Sequence, residues 1–383
     1  MPHFKTRIIE QLAKRSEQGL TRQLVAKLAG NQVILEQGGQ RYINFSSNDY
    51  LGLANEAALV RAWQQGLTLY GCGSAASPIV TGYSPAHQEL SEQLCDWLGY
   101  DSAVLFNSGF SANQALLMTL LRRGDVCLQD KLNHASLIEA SLATPAKTLR
   151  FRHNDTKHLA LLLDKTAPAP TLLITEGVFS MDGDRAPLVD IERQRQAYDE
   201  VVTVIDDAHG IGVVGEQGKG SSHDMGVRAD FLVVTFGKAF GLSGAAILCD
   251  RTYGDYLVQF AKHHVYSTAL PPAQAYTLTH ALALIKSQDW RRDKLRALCH
   301  LYDQHLNNEA GYVHTESAIK PFLIPDLNRL QAIVSRLQQH GLWVSAIRPP
   351  TVPPNGGRLR ITLTANHTRE QVMALVSCLK LHH

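Results

Sequence analysis

A chain of 383 residues with 45% hydrophobic and 19% charged side chains can bury a large core and has the make-up of a soluble globular enzyme. Its formal net charge of +2 produces no strong field, which argues against nucleic acid and anionic membrane as partners. Six cysteines are scattered without a C-x-x-C pair or a His/Cys cluster at ligand spacing, so reduced thiols and no metal are expected.

The opening MPHFKTRIIEQLAKRSEQ is charged and amphipathic and lacks the apolar stretch of a signal peptide. No uncharged apolar run approaches the roughly 18 residues needed to cross a bilayer, so a cytoplasmic location is expected. Residues from about 4 to 30 read as a helical arm, and NQVILEQGGQRYINF reads as a hairpin turning at Gly38 and Gly39. From Ser46 to Cys249 short apolar runs alternate with amphipathic stretches. AVLFNSGF, VCLQD, TLLITEGVF, VVTVIDDAHG and FLVVTFGK are predicted strands, with Ala245 to Cys249 a further one, and SANQALLMTLLRR and LVDIERQRQAYDE are predicted helices. This alternation predicts an α/β fold with a mainly parallel sheet covered by helices on both faces. After YSTALPP a long helical stretch runs from AQAYTLTHAL to LYDQHL. A mixed tail follows, with strand-like FLIP, WVSAI and RLRITLT and helical LNRLQAIVSRLQQHG. The expected division is an arm and hairpin over 1–45, a large α/β unit over 46–275 and a smaller α+β unit over 276–383.

Lys238 stands alone between two apolar runs, in the glycine-rich link FGKAFGLSG. A lysine at the end of a buried strand loses hydration, which lowers its pKa toward the range where the amine is nucleophilic, as a Schiff-base lysine requires. Asp206 and Asp207 close another buried strand, where a carboxylate without a partner is costly. A pyridinium nitrogen would suit either one, and a cap on the next segment would serve equally. His209 follows one turn on, and could contact a cofactor oxygen or be a satisfied core histidine. The G-I-G-V-V-G string from Gly210 to Gly215 formally matches a dinucleotide fingerprint. However, DDAH separates it from the strand and no apolar helix follows, so a nicotinamide site is disfavoured. Ser108-Gly109-Phe110 follows a strand and opens a helix, a position suited to phosphate as well as to ordinary capping. His134 precedes another helix, with a flat ring that could stack on a cofactor. Glu176, Ser180 and Asp182 share a strand-end loop in which Asp182-Gly183 is also simply a good turn. In IRPPTVPP, the prolines after Arg348 hold it extended, so its guanidinium could grip a carboxylate with two hydrogen bonds.

Together NFSSNDYLGL, VTGYSPAHQELSEQLCDWLG, NSGFSANQA, NHASLIEA, TEGVFSMDGD, VIDDAHGIGVVGEQGKGS, TFGKAFGLSGAA, YSTALPPAQA and AIRPPTVP span nearly the whole chain. On these stretches the sequence resembles the α-oxoamine synthase family, fold-type I pyridoxal 5'-phosphate enzymes built like aspartate aminotransferase. NFSSNDYLGL and IRPPTVP lean toward the member that joins L-alanine to a pimeloyl thioester in biotin biosynthesis. Another member, joining glycine to acetyl-CoA, is the alternative.

The resemblance implies that Lys238 binds the cofactor covalently, Asp206 pairs its ring nitrogen, His134 stacks on the ring and His209 contacts its oxygen. Gly109, Phe110, Ser180 and Thr235 would help hold the cofactor, and Thr268 would reach the phosphate bound by the other subunit of a homodimer. Arg348 would hold the amino-acid carboxylate, with Arg22 and Thr351 contacting substrate. The thioester could ride on coenzyme A or on acyl carrier protein. One stretch departs from the family: GSAASPIV replaces a glycine-rich loop, and Ala75 and Ala76 are expected to limit positive φ and reshape it.

Overall fold

A computed structural model of the chain describes residues 3–349, 351–353 and 355–380. The strands, in chain order, are β1 (Ile34–Gln37), β2 (Gln40–Asn44), β3 (Ser102–Phe106), β4 (Val126–Asp130), β5 (Lys147–Phe151), β6 (Thr171–Glu176) and β7 (Val201–Asp206). They continue as β8 (Phe231–Thr235), β9 (Ala245–Cys249), β10 (Ile319–Leu323), β11 (Leu342–Trp343), β12 (Ser345–Ile347) and β13 (Arg358–Thr362). Seven of them form the main sheet in the order β3-β9-β8-β7-β6-β4-β5. Its strands run parallel from β5 across to β8, and β9 lies antiparallel between β8 and β3. The expected mainly parallel sheet is therefore present. It carries one strand, β5, that the sequence reading passed over because KTLRF is an edge strand with its charged residues outward.

The pleat sends alternate residues to opposite faces. Val104, Phe106, Leu172, Ile174, Val233 and Ile247 join one core with Leu116 and Leu137 of helices Gly109–Leu120 and Ala135–Leu142. Leu105, Leu173, Leu232, Val234 and Leu248 join the other core with Leu90, Leu159 and Leu282 of helices Pro85–Leu98, Thr156–Thr166 and Pro272–Ser287. Each of these large side chains, fully buried, is worth about 1.5–3 kcal/mol, which is why both faces must be covered.

Two expectations are corrected. The arm is helical only over His3–Glu17 and buries none of its residues. Gly19 turns into the left-handed region at φ 64°, where glycine alone is unstrained, and Leu20 N–H closes back on the Arg15 carbonyl at 2.9 Å. The long helical stretch is two helices, Pro272–Ser287 and Asp289–Leu306, parted at Gln288. The expected unit boundary at 275 falls inside the first of them.

The hairpin β1–β2 turns as expected, and its β2 pairs in parallel with β11 from the C-terminal tail. β10, β13 and β12 make a third, antiparallel sheet. β13 brings two buried arginines, Arg358 and Arg360, against the loop after β6.

Candidate active site

A cavity of about 270 Å³ opens at the carboxyl edge of the main sheet, among others lined by Gly109, Phe110, His134, Asp206, His209, Thr235 and Lys238. With Ser108 and Glu176, which also line it, nine residues singled out from the sequence are thus brought together. Parallel strands explain why, since β6, β7 and β8 all end on this side.

Asp206 is the last residue of β7 and is buried. Its Oδ2 accepts from Asn113 Nδ2 at 2.7 Å and its Oδ1 accepts from Ala208 N–H at 3.0 Å, so both oxygens are served as an anion requires. Asp207 has the other of the two roles left open by the sequence. It turns away from the cavity, and its Oδ2 accepts from Ser221 N–H at 2.6 Å. Burial raises its pKa to about 7.

Lys238 sits in the link between β8 and β9, half-buried, with Nζ 3.4 Å from Thr235 Oγ1. Burial lowers the pKa of its amine, Asp206 (and Glu176 whenever it is ionised) pulls the other way, and Arg360 adds to the lowering. His134 caps helix Ala135–Leu142, and its Nδ1 lies 2.8 Å from Ser136 Oγ. Asn113 Nδ2 donates to that same Ser136 oxygen at 2.9 Å, so one chain of hydrogen bonds links His134 through Ser136 and Asn113 to Asp206. Burial of its inner edge lowers the His134 pKa, with Lys238 adding and Asp206 opposing.

His209 is buried, and burial, then Lys238 and Arg360, hold its pKa well below the usual value. Tyr50 Oη stands 2.5 Å from its Nδ1, and burial keeps that phenol protonated up to about 12. With the phenol as donor, the neutral imidazole carries its proton on Nε2.

Gly109 begins a twelve-residue helix whose Ser108 cap accepts from Ser111 N–H at 3.1 Å. The N–H groups of Gly109 and Phe110 lie in the first turn, where a helix has no partners of its own to offer. A Cβ at Gly109 would come within 2.5 Å of Thr235 Cγ2, so only glycine lets the helix start approach the end of β8. This donor set fits pyridoxal phosphate: an amine of lowered pKa, a doubly served carboxylate, two first-turn N–H groups beside a threonine, and a neutral imidazole.

Other predicted residues lie outside the cavity lining. Ser180 belongs to the loop after β6, and its carbonyl accepts from Arg360 Nε at 2.7 Å. Asp182 in the same loop pairs with Arg358 at 2.6 Å, so it serves the loop itself. Thr268 is exposed, and its carbonyl accepts from Asn107 Nδ2 at 2.9 Å. Arg348 is half-buried, and its Nη1 donates to the Gly19 carbonyl of the arm at 3.2 Å. Arg22 and Thr351 are exposed. Pro350 of the proline run lies outside the described residues.

Sequence reasoning missed Asn48, Tyr50, Asn113, Ser136 and Arg360. Arg360 Nη1 donates to Asn48 Oδ1 at 3.0 Å, and Asn48 lines the cavity. Four of the five sit inside stretches that carried the resemblance. Arg360 lies on a strand whose alternation gave no hint of its aim.

The reshaping expected of the GSAASPIV loop is not seen at Ala75. Ala75 adopts φ 60°, so the left-handed turn that glycine would favour is kept despite the added methyl group. The loop is strapped to the YSTALPP stretch: Ser74 Oγ donates to the Leu270 carbonyl at 2.6 Å and Ala269 N–H to the Ala76 carbonyl at 2.9 Å.

Residues 40–379 match the family described as aminotransferase class I and II. The chain is 58% identical over 376 residues to the 8-amino-7-oxononanoate synthase of Vibrio vulnificus strain YJ016, covering 98% of this chain and 97% of that one. Among solved structures, 8-amino-7-oxononanoate synthase from Francisella tularensis is 27% identical with a TM-score of 0.77, covering 89% of this chain and 97% of its own. Sphingomonas wittichii serine palmitoyltransferase is 27% identical with a TM-score of 0.91, covering 100% of this chain and 97% of that one.

Proposed function

The chain belongs to the class I and II aminotransferase family, and within it to the 8-amino-7-oxononanoate synthases; from that premise we propose the reaction that its cavity performs. It is a pyridoxal phosphate-dependent acyltransferase of biotin biosynthesis. It joins L-alanine to a pimeloyl thioester and releases 8-amino-7-oxononanoate, carbon dioxide and the free thiol. The single observation that carries the reading is Lys238, an amine of lowered pKa in the same cavity as the doubly served Asp206.

When bound, pyridoxal phosphate supplies an electron-withdrawing ring that stabilises negative charge at the substrate Cα. The protein does the rest. Asp206, its two oxygens fixed by Asn113 and Ala208, pairs with the ring nitrogen. First-turn N–H groups of Gly109 and Phe110, with Thr235, take the phosphate. His209 offers its Nε2 proton, and Ser180 its hydroxyl, to the ring oxygen. His134 covers the ring face and donates to the thioester oxygen as charge builds there. Arg348 holds the alanine carboxylate.

Lys238, its pKa lowered by burial, acts as the base that accepts the Cα proton. A Cα–C bond then forms to the thioester carbonyl as the C–S bond breaks and the thiol leaves. The Cα–carboxylate bond breaks next to release carbon dioxide, and Lys238 returns a proton to Cα. Arg22 and Thr351 contact substrate.

A homodimer is part of the proposal, with Thr268 of each copy directed at its neighbour's phosphate. Ile79, Val80, Tyr83, Phe110 and Tyr266, all exposed apolar residues around the Asn107–Thr268 contact, support a protein partner on this face. Pimeloyl thioesters on coenzyme A and on acyl carrier protein are both admitted as substrates.

Purified protein given L-alanine and each pimeloyl thioester should form 8-amino-7-oxononanoate, identified by mass. Turnover only of glycine with acetyl-CoA would overturn the substrate assignment.

A further inference from the structure

Two carboxylates stand side by side at the carboxyl edge of the sheet, since Glu176 of β6 is the register partner of Asp206 of β7. Both are buried and both line the cavity. Their surroundings differ in kind. Asp206 has a donor on each oxygen, one from Asn113 and one from Ala208. Glu176 receives the backbone N–H of His134, and its Oε1 is buried with no partner.

An ionised carboxylate is acceptor-only and wants donors on both oxygens, whereas a protonated one accepts on its carbonyl oxygen and donates a hydrogen from the other. Two adjacent negative charges in a buried site are also mutually unfavourable, so one proton is retained between them. The inventory of donors says which side chain keeps it.

We propose that Glu176 works as a neutral carboxylic acid, a positioning residue that holds His134 by its backbone N–H and leaves Asp206 the single anion at the ring nitrogen. The proposal rests on the pyridoxal phosphate reading for what Asp206 faces. Burial, and after it the charge of Asp206, push the Glu176 carboxyl well above the usual carboxylate range, and Asp130 adds to this. The His134 N–H and the charge of Lys238 oppose the rise without reversing it. The consequence is a division of labour. Were Glu176 ionised, a second negative charge would raise the pKa of Lys238 and work against its role as a base.

The first test uses purified protein without cofactor, so its failure is separable from failure of the functional reading. At neutral pH the infrared difference spectrum between wild type and Glu176→Gln should contain the carbonyl band of a protonated carboxylic acid. A difference made up of carboxylate bands alone overturns the proposal. Binding of pyridoxal phosphate followed by absorbance gives a second readout. Glutamine keeps a neutral acceptor for the His134 N–H and should hold the cofactor within about twofold of wild type, whereas Glu176→Leu strands that N–H and should bind about tenfold more weakly. Equal weakening by both variants would mean that negative charge is what matters, and equal tightness would remove the positioning role. If the leucine variant does not fold, the infrared and binding results for glutamine decide.

Discussion

At the carboxyl edge of the main sheet, Asp206, His134 and His209 are each fixed by hydrogen bonds to neighbouring side chains. Around the C-terminal loop the expected substrate contacts are held differently. Arg22 and Thr351 stand exposed, and Arg348 reaches back to the carbonyl of Gly19 in the arm. The contrast teaches where each task is built. Cofactor chemistry tolerates little displacement and is set into strand ends, whereas the residues proposed to meet substrate lie on connecting segments outside the sheet.

Breaking the rigid side should cost most. Replacing Lys238 by alanine should remove the visible absorption of the holoenzyme and reduce turnover below about one ten-thousandth of wild type, measured in single-turnover assays. The same variant should leave the melting temperature close to wild type, because the lysine is half-buried and its one hydrogen bond is long.

In the connecting segments, Arg348→Leu should raise the KM for alanine by about 10- to 100-fold, the worth of a charge-assisted carboxylate grip. The KM for the thioester should change far less. A fall in kcat alone, with both KM values unchanged, would contradict a carboxylate role and erase the distinction drawn between the two regions.

A third prediction concerns what keeps the rigid side rigid. His153 bridges Asp130 at 3.0 Å and Asp184 at 2.8 Å, bracing the loop that carries Ser180. Burial opposes its charge, but hydrogen bonds to the two aspartates outweigh this and raise its pKa from 6.5 to about 10. A raised folded pKa contributes stability that is complete below the unfolded value and lost as pH climbs through the folded one. His153→Phe should therefore destabilise by about 2–3 kcal/mol at pH below 6.5, through loss of the imidazolium's hydrogen bonds to Asp130 and Asp184. The gap from wild type should close between pH 6.5 and about 10, as followed by denaturant titration.

The smallest effect is expected at Ala75, whose φ of 60° costs an alanine about 1–2 kcal/mol. Ala75→Gly relieves this but frees the unfolded chain, a loss of about 0.4–1 kcal/mol, so a net gain of about 0.5 kcal/mol is expected by thermal melting.

How much of this was readable beforehand follows the same division. Lys238 stood out because glycines and apolar runs isolate it, and Asp206 because a carboxylate ending an apolar strand is conspicuous. The choice between Asp206 and Asp207 came from the resemblance and not from the residues alone, since it turns on Asn113 and Ser221, each donating to one of them from elsewhere in the chain. Arg360 escaped notice for the same reason: in RLRITLT it looks like an ordinary alternating strand residue, and its aim depends on how β13 packs against the loop after β6. The arm was read as too long because a glycine after a charged helix does not by itself reveal the left-handed turn that stops it.

The link that carries Lys238 is pegged at both ends, with Thr235 registered against Ala245, Phe236 N–H bonded to the Gly244 carbonyl and Leu242 N–H to the Phe236 carbonyl. A connection tied this way cannot swing as a flap, so the amine travels only by torsion of its own four-carbon tether about a stationary Cα. The arc it can sweep lies on one side of whatever the cavity holds. On the proposed reaction, handedness at the carbon this amine serves would be a property of the backbone, inherited from where two antiparallel strands are stitched together.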